Sequence, residues 1–155
     1  SEYQTANYCF TTDPLKIAAA SAEKVTVPFS NWTRIDCLDE NDISGLVVHW
    51  STNGMPLALD TKFQWTDERG SLYILNTEST PVGTFNFSCE VRNPRTSFTQ
   101  PGADHVVEFL PQNTDSDPME PRILYTSPMT NRKVVGKTFS LICIIAGHSE
   151  HTPRW

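Results

Sequence analysis

The segment Phe85-Asn86-Phe87-Ser88-Cys89-Glu90-Val91 decides the fold class, because apolar and polar residues alternate along its whole length. Successive side chains of a β-strand point to opposite faces of the sheet, so this alternation predicts a strand that is buried on one face only. The four apolar residues, Phe87 and Cys89 among them, should then face a core, and the three polar residues should face solvent.

Shorter segments show the same alternation and are bounded by residues typical of turns. The residues predicted to point inward are Ile35, Cys37, Leu46, Val48, Trp50, Leu72, Ile74, Val107 and Phe109. The turn signals between the segments include Asn53-Gly54, Arg69-Gly70, Pro81-Val82-Gly83 and Pro101-Gly102. Several short strands at this spacing predict an all-β fold, either a sandwich or a barrel.

The cysteines favour the sandwich. Cys37 and Cys89 both have inward parity and are 52 positions apart. Trp50 follows the first of them by about a dozen residues, a pattern typical of the immunoglobulin-like β-sandwich, in which Trp packs on a disulfide between the sheets. We therefore expect a Cys37–Cys89 disulfide with Trp50, Leu72 and Phe87 in the core. The alternative is a pair of free buried cysteines in a cytosolic sandwich.

The composition changes in residues 111–121, which contain three prolines, three acids and little that could be buried. This predicts an extended linker between domains. Residues 135–143 then repeat the alternation of the first cysteine strand, and Trp155 follows Cys143 by about a dozen residues, so a second domain is expected to begin and to be cut at its Trp. The expected division is an unassigned segment at 1–24, an immunoglobulin-like domain at 25–110, a linker at 111–121 and the start of a second immunoglobulin-like domain at 122–155.

Charge and hydropathy exclude several classes of protein. The chain has 155 residues, with 12 Lys and Arg against 18 Asp and Glu and a net charge of −6. Its basic residues are not clustered, so duplex nucleic acid and anionic membrane surfaces are poor partners. The apolar runs are only a few residues long, which predicts no membrane-spanning segment, and the polar residues Ser1–Gln4 predict no signal peptide within the chain.

Two Asn-x-Ser/Thr sequons, at Asn31 and Asn86, indicate a secreted or cell-surface glycoprotein. Asn86 lies on the outward side of its strand, so we expect it to carry a glycan. Asn31 has inward parity if the strand that leads to Cys37 is extended back. It is therefore accessible only if that strand begins later.

No catalytic or metal-binding arrangement emerges from the sequence. The four histidines, none beside a Ser or Cys in a nucleophile motif, are His49, His105, His148 and His151. The four widely spaced cysteines do not predict a zinc site, and the pairing of Cys9 and Cys143 is left open. The acidic segment 39–45 is similar to a calcium loop, but its twelfth position is Trp50 instead of a bidentate Glu, which favours a solvated turn. We expect no enzyme activity, no cofactor and no metal.

Two loops of opposite charge are candidate binding loops. Asp39, Glu40 and Asp42 lie in the first, and Arg92 and Arg95 lie in the second. The two loops share one end of an immunoglobulin-like sandwich. The acidic loop of one copy could therefore bind the basic loop of a second, like partner, and its basic loop could bind the partner's acidic loop. The alternative is that the two loops simply neutralise each other.

Three motifs carry a family resemblance. They are Asp67-Glu68-Arg69 with Gly70-Ser71-Leu72-Tyr73-Ile74-Leu75-Asn76, then Glu120-Pro121-Arg122-Ile123-Leu124-Tyr125, then Gly136-Lys137-Thr138-Phe139-Ser140-Leu141-Ile142-Cys143. Over residues 30–155 the chain resembles neural cell adhesion molecules of the neuroglian, neurofascin and NrCAM type, the complete domain being similar to their second immunoglobulin domain and the truncated one to their third. Two features depart: Gly83-Thr84-Phe85 stands where the family usually has Asp-x-Gly, and residues 1–24 match nothing in it.

The resemblance implies a horseshoe of four domains, bent between the second and third, that mediates homophilic and heterophilic adhesion. We therefore expect an extracellular, glycosylated adhesion fragment that binds other cell-surface proteins or a second copy of itself, in a parent protein anchored to a membrane outside this chain. A soluble, haemolin-like immune-recognition protein is the first alternative. The ligand-binding ectodomain of a receptor kinase or phosphatase is the second.

Overall fold

The computed structural model describes residues 20, 22, 24–39, 45–58, 62–113, 119–128, 135–138 and 140–147, and all regular structure among them is β-strand. The strands are β1 (Lys24–Val27), β2 (Trp32–Ile35), β3 (Val47–Thr52), β4 (Met55–Pro56), β5 (Gln64–Thr66), β6 (Leu72–Leu75), β7 (Gly83–Asn93), β8 (Phe98–Pro101), β9 (His105–Phe109), β10 (Arg122–Thr126) and β11 (Cys143–Ala146).

Two sheets form the body of the fold. The larger has the order β1-β9-β7-β3-β4, with β8 also paired to β7, and the smaller has the order β2-β6-β5. β1 runs parallel to β9, whereas the other pairs in these sheets are antiparallel. Two sheets, antiparallel except for the β1–β9 pair, face each other over a disulfide and form an immunoglobulin-like β-sandwich, so the predicted fold class is confirmed.

The core is built around the predicted disulfide, which is confirmed. Cys37 follows the end of β2 and is bonded to Cys89 in the middle of β7, with 5.9 Å between the two Cα atoms. Trp50 is the register partner of Cys89, and its indole Nε1 donates a hydrogen bond of 2.7 Å to the carbonyl of Gly70 in the turn before β6. Only 5% of Trp50 and 2% of Phe87 are exposed, so the bridge is enclosed by aromatic side chains.

Gly102 lies in the irregular segment between β8 and β9, directly against the disulfide. A Cβ at this position would overlap both cysteine sulfurs and would lie 2.7 Å from the Cys37 carbonyl oxygen. The backbone there is fixed by two hydrogen bonds, from Gly102 N–H to the Cys89 carbonyl at 2.9 Å and from Ala103 N–H to the Cys37 carbonyl at 3.0 Å. The site therefore requires a residue without a side chain because space is lacking.

The burial of β6 exceeds what its sequence alternation predicts. Leu72 and Ile74 face the core and are fully buried, but Tyr73 on the opposite face is only 2% exposed. The Trp32 ring stacks on Tyr73 at 6.2 Å, and the Tyr125 ring lies 6.1 Å from it. The outer face of the smaller sheet is thus covered by the start of the downstream segment.

The strand predicted at 135–143 is placed wrongly, because β11 begins only at Cys143. Gly136 lies in a turn with φ +82°, which interrupts an extended run. Farther on, Ser127 N–H donates to the Ile142 carbonyl at 2.8 Å, and Ile142 N–H donates to Ser127 Oγ at 2.7 Å. These bonds place Ile142 opposite Ser127, directly after the end of β10. The antiparallel ladder between β10 and β11 therefore begins at the next residue, Cys143, which pairs with Thr126.

We predict that Gly102→Ala destabilises the fold by about 1–3 kcal/mol, the usual cost of overpacking a core, because neither the disulfide nor the Cys37 carbonyl can move away. The measurement is urea unfolding of the oxidised 155-residue chain. Gly54→Ala is the matched control: nothing lies within 4 Å of its Cβ position, so its only cost is the left-handed backbone at φ +80°.

The same substitution in a Cys37→Ala/Cys89→Ala background should cost much less, since the sulfurs that collide with the new methyl group are gone. An equal loss in both backgrounds would show that Gly102 is required for another reason.

Candidate recognition surfaces and the contact between segments

The two charged loops lie at one end of the sandwich, as far as the structure describes them. Val47 at the start of β3 pairs in register with Arg92 near the end of β7, so the chain that enters β3 and the turn that follows β7 are neighbours. Asp39 and Arg95 are exposed, whereas Glu40 and Asp42 lie outside the described residues.

Arg92 in the second loop is paired with an acid of its own strand. Arg92 Nε lies 2.8 Å from Glu90 Oε1, two residues earlier on the same strand, and half of its side chain is exposed. Within the described ranges, Asp39 forms no ion pair with either loop arginine. Recognition of a like partner by these loops stays a prediction.

Two apolar side chains are exposed at the same end. Val47 is 44% exposed, and Phe98 at the start of β8 is 41% exposed. Val47 is the register partner of Arg92 and shares its face of the sheet, whereas Phe98 is the register partner of Asn93 and lies on the other face. Val47 is therefore the exposed apolar side chain that lies beside the Glu90–Arg92 pair.

Both sequon asparagines are exposed. Asn86 lies on the outer face of β7, and Asn53 in the turn between β3 and β4 fixes its backbone through hydrogen bonds of 2.8 and 2.9 Å. β2 begins at Trp32, after Asn31. The strand thus starts late enough to leave Asn31 accessible, as its sequon required. Glycosylation itself stays a prediction at both positions.

The histidines are not brought together. His49 is exposed on β3, whereas His105 is 2% exposed, with its Nε2 at 2.7 Å from the Asp36 carbonyl. His148 and His151 lie outside the described part of the chain. In the described part, no three His, Cys, Asp or Glu side chains are grouped so that they could hold a metal ion, and no helix is long and apolar enough to cross a membrane.

Glu68 forms a contact that the sequence analysis missed. Its carboxylate accepts a hydrogen bond of 3.0 Å from the Tyr125 hydroxyl and a second, short one from the Ser127 hydroxyl. The guanidinium carbon of Arg69 lies 5.7 Å from the centre of the Tyr125 ring, within the range of a cation–π interaction. One turn of the sandwich therefore binds the end of β10 through both charge and ring contacts.

The turn that presents Glu68 is shaped by its neighbour Asp67. The Asp67 carboxylate is buried, and its Oδ1 accepts hydrogen bonds from the N–H groups of Arg69 at 2.9 Å and Ser71 at 3.1 Å. Its Oδ2 accepts one from the Tyr73 hydroxyl at 3.2 Å. Asp67 thus fixes the turn and the covered tyrosine at once.

Both tyrosines of this contact hold their protons more tightly than usual. Burial raises the pKa of Tyr125 to about 12, and its hydrogen bond to Glu68 and the charge of that carboxylate act in the same direction. Burial also raises the pKa of Tyr73, assisted by the charge of Asp67. Each hydroxyl is therefore a hydrogen-bond donor at neutral pH.

The residues of this contact stand in two of the motifs that carry the family resemblance. Glu68 and Tyr125 are 57 positions apart, however, and neither parity nor spacing indicates that they meet. Two weak sequence signals accompany this contact. One is an acid that follows an Asp in a turn, the other is a tyrosine soon after a proline-rich linker, and both are common in proteins.

Comparison with known proteins adds the fold family. No protein-family model matches the chain, and no curated protein sequence matches it. Among solved structures, immunoglobulin domains 1–4 of Sidekick-1 align with a TM-score of 0.64 at 16% identity over 86% of this chain and 35% of theirs. Domains 1–5 of Sidekick-1 give 0.61 at 17% identity, over 83% of this chain and 27% of theirs.

The insect immune protein hemolin, whose domain arrangement is described as having implications for homophilic adhesion, gives a TM-score of 0.58 at 13% identity over 84% of this chain and 36% of its own. The chain thus spans only about a quarter to a third of these structures. At such low identity the likeness shows the fold alone, which is that of immunoglobulin-like domains.

We predict that Asn86 carries an N-linked glycan when the chain is secreted from eukaryotic cells, because its side chain is exposed on the outer face of β7. Glycosidase treatment should lower the mass of the protein, and Asn86→Gln should remove most of that difference, with Asn31→Gln removing the remainder. An unchanged mass after treatment would reject both sites.

We predict that Glu68→Ala weakens the attachment of β10 by about 1 kcal/mol, since a partly exposed carboxylate with two hydroxyl donors contributes less than a buried one. Hydrogen exchange at the amides of β10 should become faster, whereas Glu78→Ala, at an exposed acid away from the contact, should leave it unchanged.

The contact should also depend on pH in one direction. Because the pKa of Tyr125 is higher in the folded than in the unfolded chain, its contribution is present below pH 10 and is lost as the pH rises through about 12. Tyr125→Phe should remove one of the two tyrosines whose pKa is raised, and Tyr73 should remain as the other. An unchanged number of late-titrating tyrosines in the folded variant would contradict the assignment.

Proposed function

We propose that this chain is part of an extracellular recognition protein that acts in cell adhesion through immunoglobulin-like domains, binding other cell-surface proteins or a second copy of itself. The disulfide-bonded sandwich supports an extracellular location, since such bonds persist mainly in oxidising compartments. The exposed end around Val47 and Arg92 supports protein recognition. We propose no enzyme activity.

The observation that Glu68 binds β10 carries the more specific part of the proposal, a chain that folds back on itself. Asn76, which follows β6, donates hydrogen bonds to the Leu110 and Val27 carbonyls at 2.8 and 2.9 Å, so the sandwich ends beside Asn76. Glu68 lies before β6, at the opposite end of that strand. The chain leaves one end of the sandwich and is bound again near the other.

Such a reversal favours a bent arrangement of domains over a straight one. Strand β6 spans about 13 Å at 3.3 Å per residue, and residues 111–121 can span about 36 Å when extended, so the linker is long enough for it. We accordingly propose a domain at 25–110, a linker at 111–121 and a second domain from 122, with 1–24 unassigned. The narrower likeness to the neuroglian, neurofascin and NrCAM type, which bends at this link, belongs to the same proposal.

A soluble immune-recognition protein is the second candidate, because hemolin aligns over nearly the same share of this chain as Sidekick-1, 84% against 86%. A membrane-spanning helix and fibronectin-like domains farther along the parent protein would favour adhesion. An intracellular catalytic domain there would favour the receptor kinase or phosphatase class.

We predict that the full ectodomain containing this chain is folded back in solution and aggregates beads that are coated with it. Small-angle scattering measures the shape, and the bead assay measures self-association. Glu68→Ala should lengthen the particle, and Glu78→Ala should leave its dimensions unchanged.

A straight rod together with no bead aggregation would reject both the folded-back and the homophilic proposals. A folded-back monomer that binds a different membrane protein would keep the arrangement and replace homophilic by heterophilic recognition.

A further inference from the structure

We propose that the sandwich binds a small uncharged aromatic molecule in a cavity between its two sheets. The cavity lies at the end of the core opposite the charged loops and has a volume of about 220 Å³. Its walls come from β3, β4, β5, β7 and β9 and the segments next to them. The residues that line it are Thr52, Met55, Pro56, Leu57, Ala58, Phe63, Gln64, Pro81, Phe85, Phe87 and Phe109.

The walls determine the chemical class of the ligand. Four phenylalanines line the cavity, and Phe87 and Phe109 at its base are each only 2% exposed. An apolar cavity of about 150 Å³ is already large enough to stay dry and to bind benzene. The somewhat larger space here suits one ring or two fused rings, with edge-to-face contacts to the walls.

The cavity is held open by fixed contacts. Gln64 Nε2 donates a hydrogen bond of 2.9 Å to the Ala58 carbonyl, which joins two of its walls, and Leu57 N–H donates one of 3.0 Å to the Trp50 carbonyl. Phe85 packs against Phe109 with 6.0 Å between ring centres. A preformed cavity binds a small molecule without the loss of loop entropy that an induced site requires.

Thr52 supplies one polar position in the wall. Its Oγ1 is buried and has no hydrogen-bond partner among the described residues, which is costly for a hydroxyl in a core. Because Thr52 lines the cavity, rotation about χ1 by about 120° to another staggered position can present this hydroxyl to a ligand. An aromatic ligand with one N–H or O–H group, such as indole, would then satisfy it.

Met55 indicates how a ligand enters. It is 70% exposed on β4 and lines the cavity, and a methionine side chain is flexible enough to move aside. The base of the cavity reaches the core beside Phe87, so a flat protein surface could not fill it. These features favour a small molecule as the occupant.

The test is a titration of the 155-residue chain with indole, followed by NMR. Saturable shifts are expected at Leu57, Phe87 and Phe109 with a dissociation constant on the order of 1 mM or lower, whereas Val91 in the other half of the core should not respond. Shifts that never saturate, or that spread evenly over the surface, would overturn the proposal.

Two variants that fill the cavity should each weaken indole binding at least tenfold: Thr52→Ile from within and Ala58→Phe from the rim. Thr84→Ile, at an exposed position on the outer face of β7, is the matched control and should bind like the unaltered chain. Circular dichroism confirms that each variant is folded. Unchanged affinity in a folded filling variant would place the indole elsewhere.

Leu59→Ala tests whether the chain's own next residues compete for this space. Unchanged affinity is expected. A tenfold gain would mean that the cavity normally accommodates part of the chain itself, and it would overturn the proposal of a ligand site. None of these outcomes depends on adhesion, so the result is independent of the proposed function.

Discussion

The Cys37–Cys89 disulfide is the constraint on which the rest of the sandwich depends. It joins two sheets across 52 positions of sequence, and closing a loop of that size stabilises a fold by about 4 kcal/mol in the chain-entropy account. Three features surround the bridge closely. Trp50 packs beside it, and Gly102 has room for no side chain. The Cys37 and Cys89 carbonyls fix the segment that connects β8 to β9.

The two sheets that the disulfide joins have different surroundings on their outer faces. The outer face of the smaller sheet carries Tyr73, which is covered by Trp32 and Tyr125 and is anchored to the turn at Asp67. The outer face of the larger sheet carries exposed residues, with Asn86 toward one end and Arg92 toward the other. The first face holds the chain's own continuation, and the described residues of the second include exposed side chains along its length.

The sequence predicted the features that depend on local alternation and on cysteine spacing. It placed Phe87, Cys89 and Trp50 on inward faces because parity along a strand decides which side a residue takes. It did not predict the burial of Tyr73, since parity does not say what covers the other side of a sheet. It placed the second cysteine strand too early, because the limits of β11 are set by hydrogen bonds between Ser127 and Ile142.

The folded-back form that we propose would rest on a balance of small free energies. Closing a loop of about eleven residues costs on the order of 2 kcal/mol before the constant term, and the prolines of 111–121 reduce that cost by restricting the unfolded chain. The two hydroxyl bonds to Glu68 together offset it with about 1 kcal/mol, and the contacts of Tyr125 with Tyr73 and with Arg69 add about 0.5–1 kcal/mol each. The two sides are comparable, so removal of the Glu68 carboxylate alone is enough to shift the population toward an open arrangement. If the proposed hinge is poised in this way, a partner that binds the bent and the extended arrangement with affinities differing by only a few kcal/mol would shift the population between them.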